Sequence, residues 1–140
     1  MLIGDPKQEK SRYSKNAGAV CNLSYHLVWC PKYRCKVLVG EVATRLKNVL
    51  LATAAQYAVL LETMEVLPDH VQLLVSSDPS RCVAEIVNRL EGASSRILRQ
   101  EFPHLCSRLP TLWSRSYYVG SVGHVSEATV KKYIEKQKGR

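Results

Sequence analysis

Between Val20 and Lys138 the hydrophobic pattern switches between a period of two and a period of three to four, and the order of those switches leaves few folds open. Val20 to Cys30, VCNLSYHLVWC, alternates as a strand, with Tyr25, Leu27 and Trp29 on one face and Ser24, His26, Val28 and Cys30 on the other. Pro31 ends it. Leu38 to Tyr57 then carries Val42, Leu46, Val49, Leu50, Thr53 and Ala54 at helical spacing. Val59 to Val66 and His70 to Ser76 are two more strands, and Pro68 with Asp69 supplies the turn of a hairpin. Pro79 and Ser80 open a second helix, with Val83, Ile86, Val87, Leu90, Ile97 and Leu98 on its apolar side. Gly92 weakens its middle, and Phe102 and Pro103 stop it. Leu112 to Val122 reads as the last strand, and Ser126 caps a C-terminal helix reaching about Lys138.

This order predicts an α+β fold: a ferredoxin-like, RRM-like antiparallel sheet (βαββαβ) with one extra C-terminal helix. Helices cover one face of such a sheet and leave the other for a ligand or a second subunit. A chain of 140 residues suits one domain. We place it at residues 20–140, after a basic arm over residues 1–19 that carries Lys7, Lys10, Arg12 and Lys15. The 20 Lys and Arg exceed the 12 Asp and Glu, a formal charge of +8 that favours a partner rich in phosphate. No apolar run is long enough to span a membrane, and Met1 to Lys15 lacks the apolar segment of a secretory signal, so a cytoplasmic location is expected. The five cysteines lack the paired spacing of a zinc site and read as reduced thiols.

Alternation puts His70 and Gln72, in PDHVQLLV, on one face of their strand, while Val71 and Leu73 point the other way. Tyr133 and Gln137, four residues apart, share a face of the last helix. If that helix crosses the sheet, His70, Gln72 and Gln137 can hold a divalent metal beside the Tyr133 hydroxyl, a nucleophile and a cation suited to phosphoryl transfer. Lys32, Arg34 and Lys36 surround Tyr33, a way of holding an unpaired nucleotide by charge and stacking. Arg81, Arg89, Arg96 and Arg99 fall within about 80° on the second helix and form a stripe able to track a phosphate backbone. Glu85, Glu91 and Glu101 lie near enough to pair with some of them instead. Asp69 is placed to orient His70 or to act as a turn residue, and His26 either borders the metal or makes a hydrogen bond in the sheet.

Five blocks in order, YHLVWCPKYRCKVL, MEVLPDHVQLLVS, LEGASSRILRQEFPHL, LWSRSYYVGSVG and VSEATVKKYIEKQ, resemble the signature blocks of the single-tyrosine HUH transposases, the IS-two-hundred-like insertion-sequence transposases. The resemblance spans roughly residues 20–138. It implies a homodimeric enzyme that excises and inserts a mobile element as single-stranded DNA, recognising hairpins at the element ends. The cofactor implied is a divalent cation, Mg²⁺ or Mn²⁺, with no nucleotide cofactor. Tyr133 matches the nucleophile, which forms a 5′-phosphotyrosine, and Gln137 matches a metal ligand. His70, Val71, Gln72 depart from the family's His-hydrophobic-His at the last position, and Glu91 stands where relatives often carry Lys. Gln72 can offer a carbonyl oxygen to Mg²⁺ but is a poorer donor than imidazole for transition metals. Two other readings stay open: a metal-impaired or domesticated relative that binds DNA or RNA hairpins without cutting, and an RNA-binding regulatory domain unrelated to transposition. Tyr117 and Tyr118 are rival nucleophiles by residue type, but they point to opposite faces and lack a glutamine four residues on.

Overall fold

The computed structural model describes residues 23–121 and 127–137. Four antiparallel strands, β1 (Leu23–Trp29), β2 (Leu60–Leu67), β3 (His70–Ser77) and β4 (Tyr118–Ser121), lie in the spatial order β2-β3-β1-β4. α1 (Gly40–Gln56) connects β1 to β2, α2 (Val83–Glu101) and the short α3 (His104–Arg108) connect β3 to β4, and α4 (Glu127–Lys136) follows β4. This is the expected ferredoxin-like order with its added helix. The basic arm, the first residues of the expected opening strand, the Ser126 cap and Lys138 lie outside the described residues.

Alternation divides the sheet chemically. Leu27 and Trp29 of β1, Leu61 and Met64 of β2, and Val71, Leu73 and Val75 of β3 are buried on one face against Val42, Leu46, Leu50 and Ala54 of α1 and Ile86, Val87, Leu90 and Leu98 of α2. Each of these large side chains contributes about 1.5–3 kcal/mol by leaving water, so that face drives assembly. The odd-even rule then sends Ser24, His26, His70, Gln72 and Leu74 to the other face. Gly40 enters α1 at a φ of 58°, a left-handed turn suited to glycine. Arg45 of α1 makes a two-pronged ion pair with Glu101 of α2 at 2.9 and 3.0 Å, holding the helix pair together at its surface.

Three boundaries differ from the sequence reading. α2 starts at Val83, because the Asp78 side chain accepts the Ser80 backbone N–H at 2.8 Å and holds Pro79–Arg81 in a turn. The segment after Phe102 forms α3, where no element was expected. The strand expected over 112–122 is split. Trp113 bridges Pro31, and Ser114 N–H donates to the Cys30 carbonyl at 2.9 Å, but the regular ladder resumes only where Tyr118 pairs with Val28. Three steps along the first chain (31 to 28) face five along the second (113 to 118), and the surplus bulges out over Ser114–Tyr117.

The bulge is fixed from the core side by Trp113. Its ring meets Trp29 edge-on with centroids 5.9 Å apart, and its Nε1–H donates to Ser94 Oγ at 3.0 Å. Ser94 in turn donates to the Leu90 carbonyl at 2.7 Å. One buried hydroxyl therefore ties α2 to the segment leading into β4. Ser94→Ala leaves the buried indole N–H without this acceptor, and we expect a loss of about 1–3 kcal/mol of stability, measured as a lower urea midpoint with an unchanged m-value.

Candidate active site

On the open face, His70 is 8% exposed and lies between two partners. Its Nδ1 is 2.8 Å from Asp69 Oδ1, and its Nε2 is 3.2 Å from Gln72 Nε2. A carboxylate only accepts, so a proton belongs on Nδ1, which leaves Nε2 facing the Gln72 amide. Asp69 thus holds the Nδ1 side of the His70 ring. The other Asp69 oxygen, Oδ2, is 3.5 Å from Arg34 Nε.

Cross-strand register lines up Tyr118, Val28, Gln72 and Glu65 as a row across this face. At about 4.8 Å per strand, Tyr118 and Gln72 stand about 10 Å apart along the row. Tyr133 of α4 settles on the Tyr118 end, its ring centroid 5.9 Å from that of Tyr118. The last helix thus brings Tyr133 to the face that carries His70 and Gln72. Tyr117, by contrast, packs against the core, so the adjacent tyrosines do face opposite ways.

The bulge explains where Gln137 goes. Its side chain is 3% exposed, and Oε1 accepts from Ser116 Oγ at 2.7 Å and from Ser114 Oγ at 3.3 Å. Its Nε2 donates back to the Tyr133 carbonyl at 3.4 Å, satisfying one of the last helical carbonyls. Because the Ser116 proton is directed to Gln137, Ser116 Oγ is left to accept from the Tyr133 hydroxyl, 3.2 Å away. A chain of neutral hydrogen bonds runs from the phenol through Ser116 to the amide. Ser114 and Ser116 were not among the residues singled out in the sequence; the only signal was their period-two spacing before Tyr118.

The basic residues divide into separate groups. Lys32 sits 5.4 Å from the centre of the Tyr33 ring, which is 47% exposed, so these two do offer a cation and a stacking surface together. Arg34 instead turns to Asp69 and to α4, and Lys36 lines a shallow depression with His104 and Arg108. Arg81 and Arg89 stack over Tyr57 at 4.1 and 5.1 Å, and Arg89 and Arg96 line a groove between α1 and α2 with Tyr57 and Gly92. Gly92 leaves that groove open, since a Cβ there would meet nothing within 4 Å. Arg99 leaves the expected stripe and donates to the Leu109 carbonyl at 3.3 Å. Glu101 pairs with Arg45 of α1, not with an arginine of its own helix. His26 pairs with Leu74, four residues along β3 from His70, or about 13 Å, which disfavours the metal-bordering one of its two readings. Cys30 is buried, and that burial pushes its thiol up to about 12, which makes it inert packing. Among the described residues, no group of three His, Cys, Asp or Glu side chains is arranged to hold a metal, and no helix is long and apolar enough to cross a membrane.

A ferredoxin-like sheet whose open face carries a His-Gln pair and, toward its β4 edge, a tyrosine of the last helix is an architecture of a class of DNA-transferring enzymes. Residues 19–137 match the family described as Transposase IS200 like, and the chain belongs to that family. It is a transposase, an enzyme of DNA transposition that cleaves DNA. It is 46% identical over 125 residues to the ISDra2 transposase TnpA of Deinococcus radiodurans, covering 88% of this chain and 89% of that protein. It is 30% identical over 118 residues to the transposase for insertion sequence element IS200 of Salmonella typhimurium, covering 83% and 77%. A crystal structure of a protein described as a transposase from Deinococcus radiodurans superposes with a TM-score of 0.83 and 41% identity, over 90% of this chain and 98% of that one. The REP-associated tyrosine transposase, solved bound to a REP hairpin, shares the fold at a TM-score of 0.52 and 10% identity, over 81% of this chain and 62% of that one.

Glu91 gives α2 a second character. It lies about 160° around the helix from Arg89, with its Oε2 buried and lacking a hydrogen-bond partner. Burial pushes its carboxyl from 4.5 up to about 8, so the folded protein carries it protonated at neutral pH. The folded state then holds a proton that the unfolded chain releases above its ordinary value. Its contribution is fully present below about 4.5 and is lost as pH rises through about 8. We expect the urea midpoint to fall between pH 5 and pH 8.5, and Glu91→Gln, a neutral isostere, to flatten that slope.

Proposed function

We propose that this transposase is a single-strand endonuclease and strand transferase that excises and inserts an insertion sequence through a 5′-phosphotyrosine on Tyr133. The observation that carries the reading is the placement of Tyr133, through Tyr118, on the same open face as His70 and Gln72. Tyr133 Oη would form a bond to a backbone phosphorus while the bond from that phosphorus to the 3′ oxygen breaks. The phenol proton is balanced by the proton that the new 3′ hydroxyl gains. The phosphodiester is conserved, so another strand's 3′ hydroxyl can reverse the attack and join.

Ser116 holds the phenol at the start of this path, and Gln137 fixes the end of the helix that carries it. The residue types of the His70–Gln72 pair suit a hard divalent cation. With Nδ1 committed to Asp69, His70 Nε2 is the imidazole nitrogen that could turn from Gln72 to a cation beside the Gln72 amide oxygen, whereas Gln137 Oε1 would first have to give up its bonds from Ser114 and Ser116. Those three residues would hold Mg²⁺ or Mn²⁺, which when bound supplies polarisation of the phosphate. Lys32 and Tyr33 would stack and neutralise an unpaired nucleotide, and Arg81, Arg89 and Arg96 would follow the backbone of a hairpin stem. Hairpin recognition is supported by the relative solved on a REP hairpin, and a homodimer by the family resemblance. Such an enzyme works where the DNA is, in the cytoplasm.

Gln72 favours a second reading. Its amide stands where the family resemblance has a second histidine and is a poorer donor to transition metals, which suits a protein that grips hairpins without cutting. A labelled single strand with a hairpin and its flank, incubated with protein and run on a denaturing gel, separates the two. We expect a covalent adduct with Mg²⁺ or Mn²⁺ that is lost with EDTA and absent in Tyr133→Phe. A shift on native gels with no adduct at any metal concentration would establish the binder. In the enzyme, Gln72→His replaces an amide with a better donor, and we expect adduct formation at about tenfold lower Mn²⁺.

A further inference from the structure

We infer that Arg34 is a positioning residue that clasps the tyrosine-bearing helix to the Asp69–His70 pair, and is not a contact to DNA. The inference rests on reading Tyr133 as the nucleophile. Arg34 bridges two parts of the chain, the turn before β3 and α4. Its Nε lies 3.5 Å from Asp69 Oδ2, and its Nη1 donates to the Ile134 carbonyl at 3.4 Å. Asp69 uses its other oxygen on His70 Nδ1. One guanidinium therefore connects the residue after Tyr133 to the carboxylate that orients the imidazole.

The backbone supports the bridge at a cost. Tyr33 and Arg34 have φ values of 60° and 52°, two successive non-glycine residues in the left-handed region. Such conformations cost about 1–3 kcal/mol each and persist where surrounding structure fixes them. Here Arg34 N–H donates to the Pro31 carbonyl at 2.8 Å and Cys35 N–H to the Lys32 carbonyl at 3.3 Å. The turn splits the duties of adjacent side chains: Tyr33 is left exposed, and the Arg34 side chain is only 22% exposed.

The target on α4 suits a cation. Ile134 lies in the last helical turn, where the dipole is negative; its carbonyl accepts the Gln137 N–H at 3.1 Å and has a second lone pair for the guanidinium. A guanidinium can donate from two nitrogens in different directions, and an ammonium on a shorter stem acts as a single point charge. Arg34→Lys therefore keeps the charge and loses the bridge.

The test compares wild type, Arg34→Lys and Arg34→Gln in three measurements: single-turnover adduct formation on the labelled hairpin strand, hairpin affinity at two salt concentrations, and amide hydrogen exchange over residues 127–137 without DNA. A clasp predicts faster exchange in both variants. It also predicts adduct formation slower by about tenfold to a hundredfold in Arg34→Lys, with hairpin affinity unchanged. Wild-type exchange and adduct rates in Arg34→Lys, with weaker and less salt-dependent binding in Arg34→Gln, would make Arg34 a phosphate contact and overturn the inference. If wild type itself forms no adduct, the enzymatic reading fails, and the exchange comparison still decides the clasp. Matching melting curves for the three proteins exclude unfolding as the cause.

Discussion

Successive residues of a strand must leave opposite faces of the sheet, and β3 puts that rule under the most tension. Val71, Leu73 and Val75 are fully committed to the core, which leaves His70 and Gln72 no direction except the open face. The free energy that holds the pair in place is thus the apolar burial on the other side of the same strand. Flanking strands continue the pattern, so that one row, Glu65, Gln72, Val28 and Tyr118, crosses the sheet. Everything placed over that row, including α4 and its tyrosine, depends on the register being right.

A second layer of control comes from irregular backbone. The bulge over Ser114–Tyr117 turns two hydroxyls toward Gln137, and the left-handed pair at Tyr33 and Arg34 turns a guanidinium toward Asp69 and Ile134. Regular strands provide the floor, and these two deviations grip the helix above it. Trp113 joins the arrangement to the core, since its indole fixes the bulge through Ser94 of α2.

Much of this was legible in the sequence because periodicity reports faces. The order of strands and helices, the outward pair His70 and Gln72, the orienting part of Asp69, and the opposed Tyr117 and Tyr118 all follow from alternation or helical spacing. What periodicity cannot report is register, bulging and long-range side-chain choice. The stretch from Leu112 alternates like one strand, and the bulge between the Pro31–Trp113 bridge and the Val28–Tyr118 pair breaks it. His26 shares a face with His70, but register pairs it with Leu74, four residues along β3, which disfavours the metal-bordering one of its two readings. Arg99 satisfies the angular criterion of the stripe, yet the nearby Leu109 carbonyl takes it. Ser114 and Ser116 carried no warning, since a serine in a strand is ordinary.

Position 72 has a consequence for how this kind of protein changes over time. Its side chain is half-buried on the open face and touches His70, while its neighbours Val71 and Leu73 secure the core. A polar replacement there exchanges one cross-strand neighbour of Val28 and Glu65 for another and leaves the folded state nearly untouched. Selection for a folded, abundant protein is therefore blind to this site, and only selection on DNA chemistry can see it. A lineage can drift between a histidine and an amide here without passing through an unfolded ancestor, whereas a one-residue deletion in β3 would exchange its two faces and erase scaffold and site together.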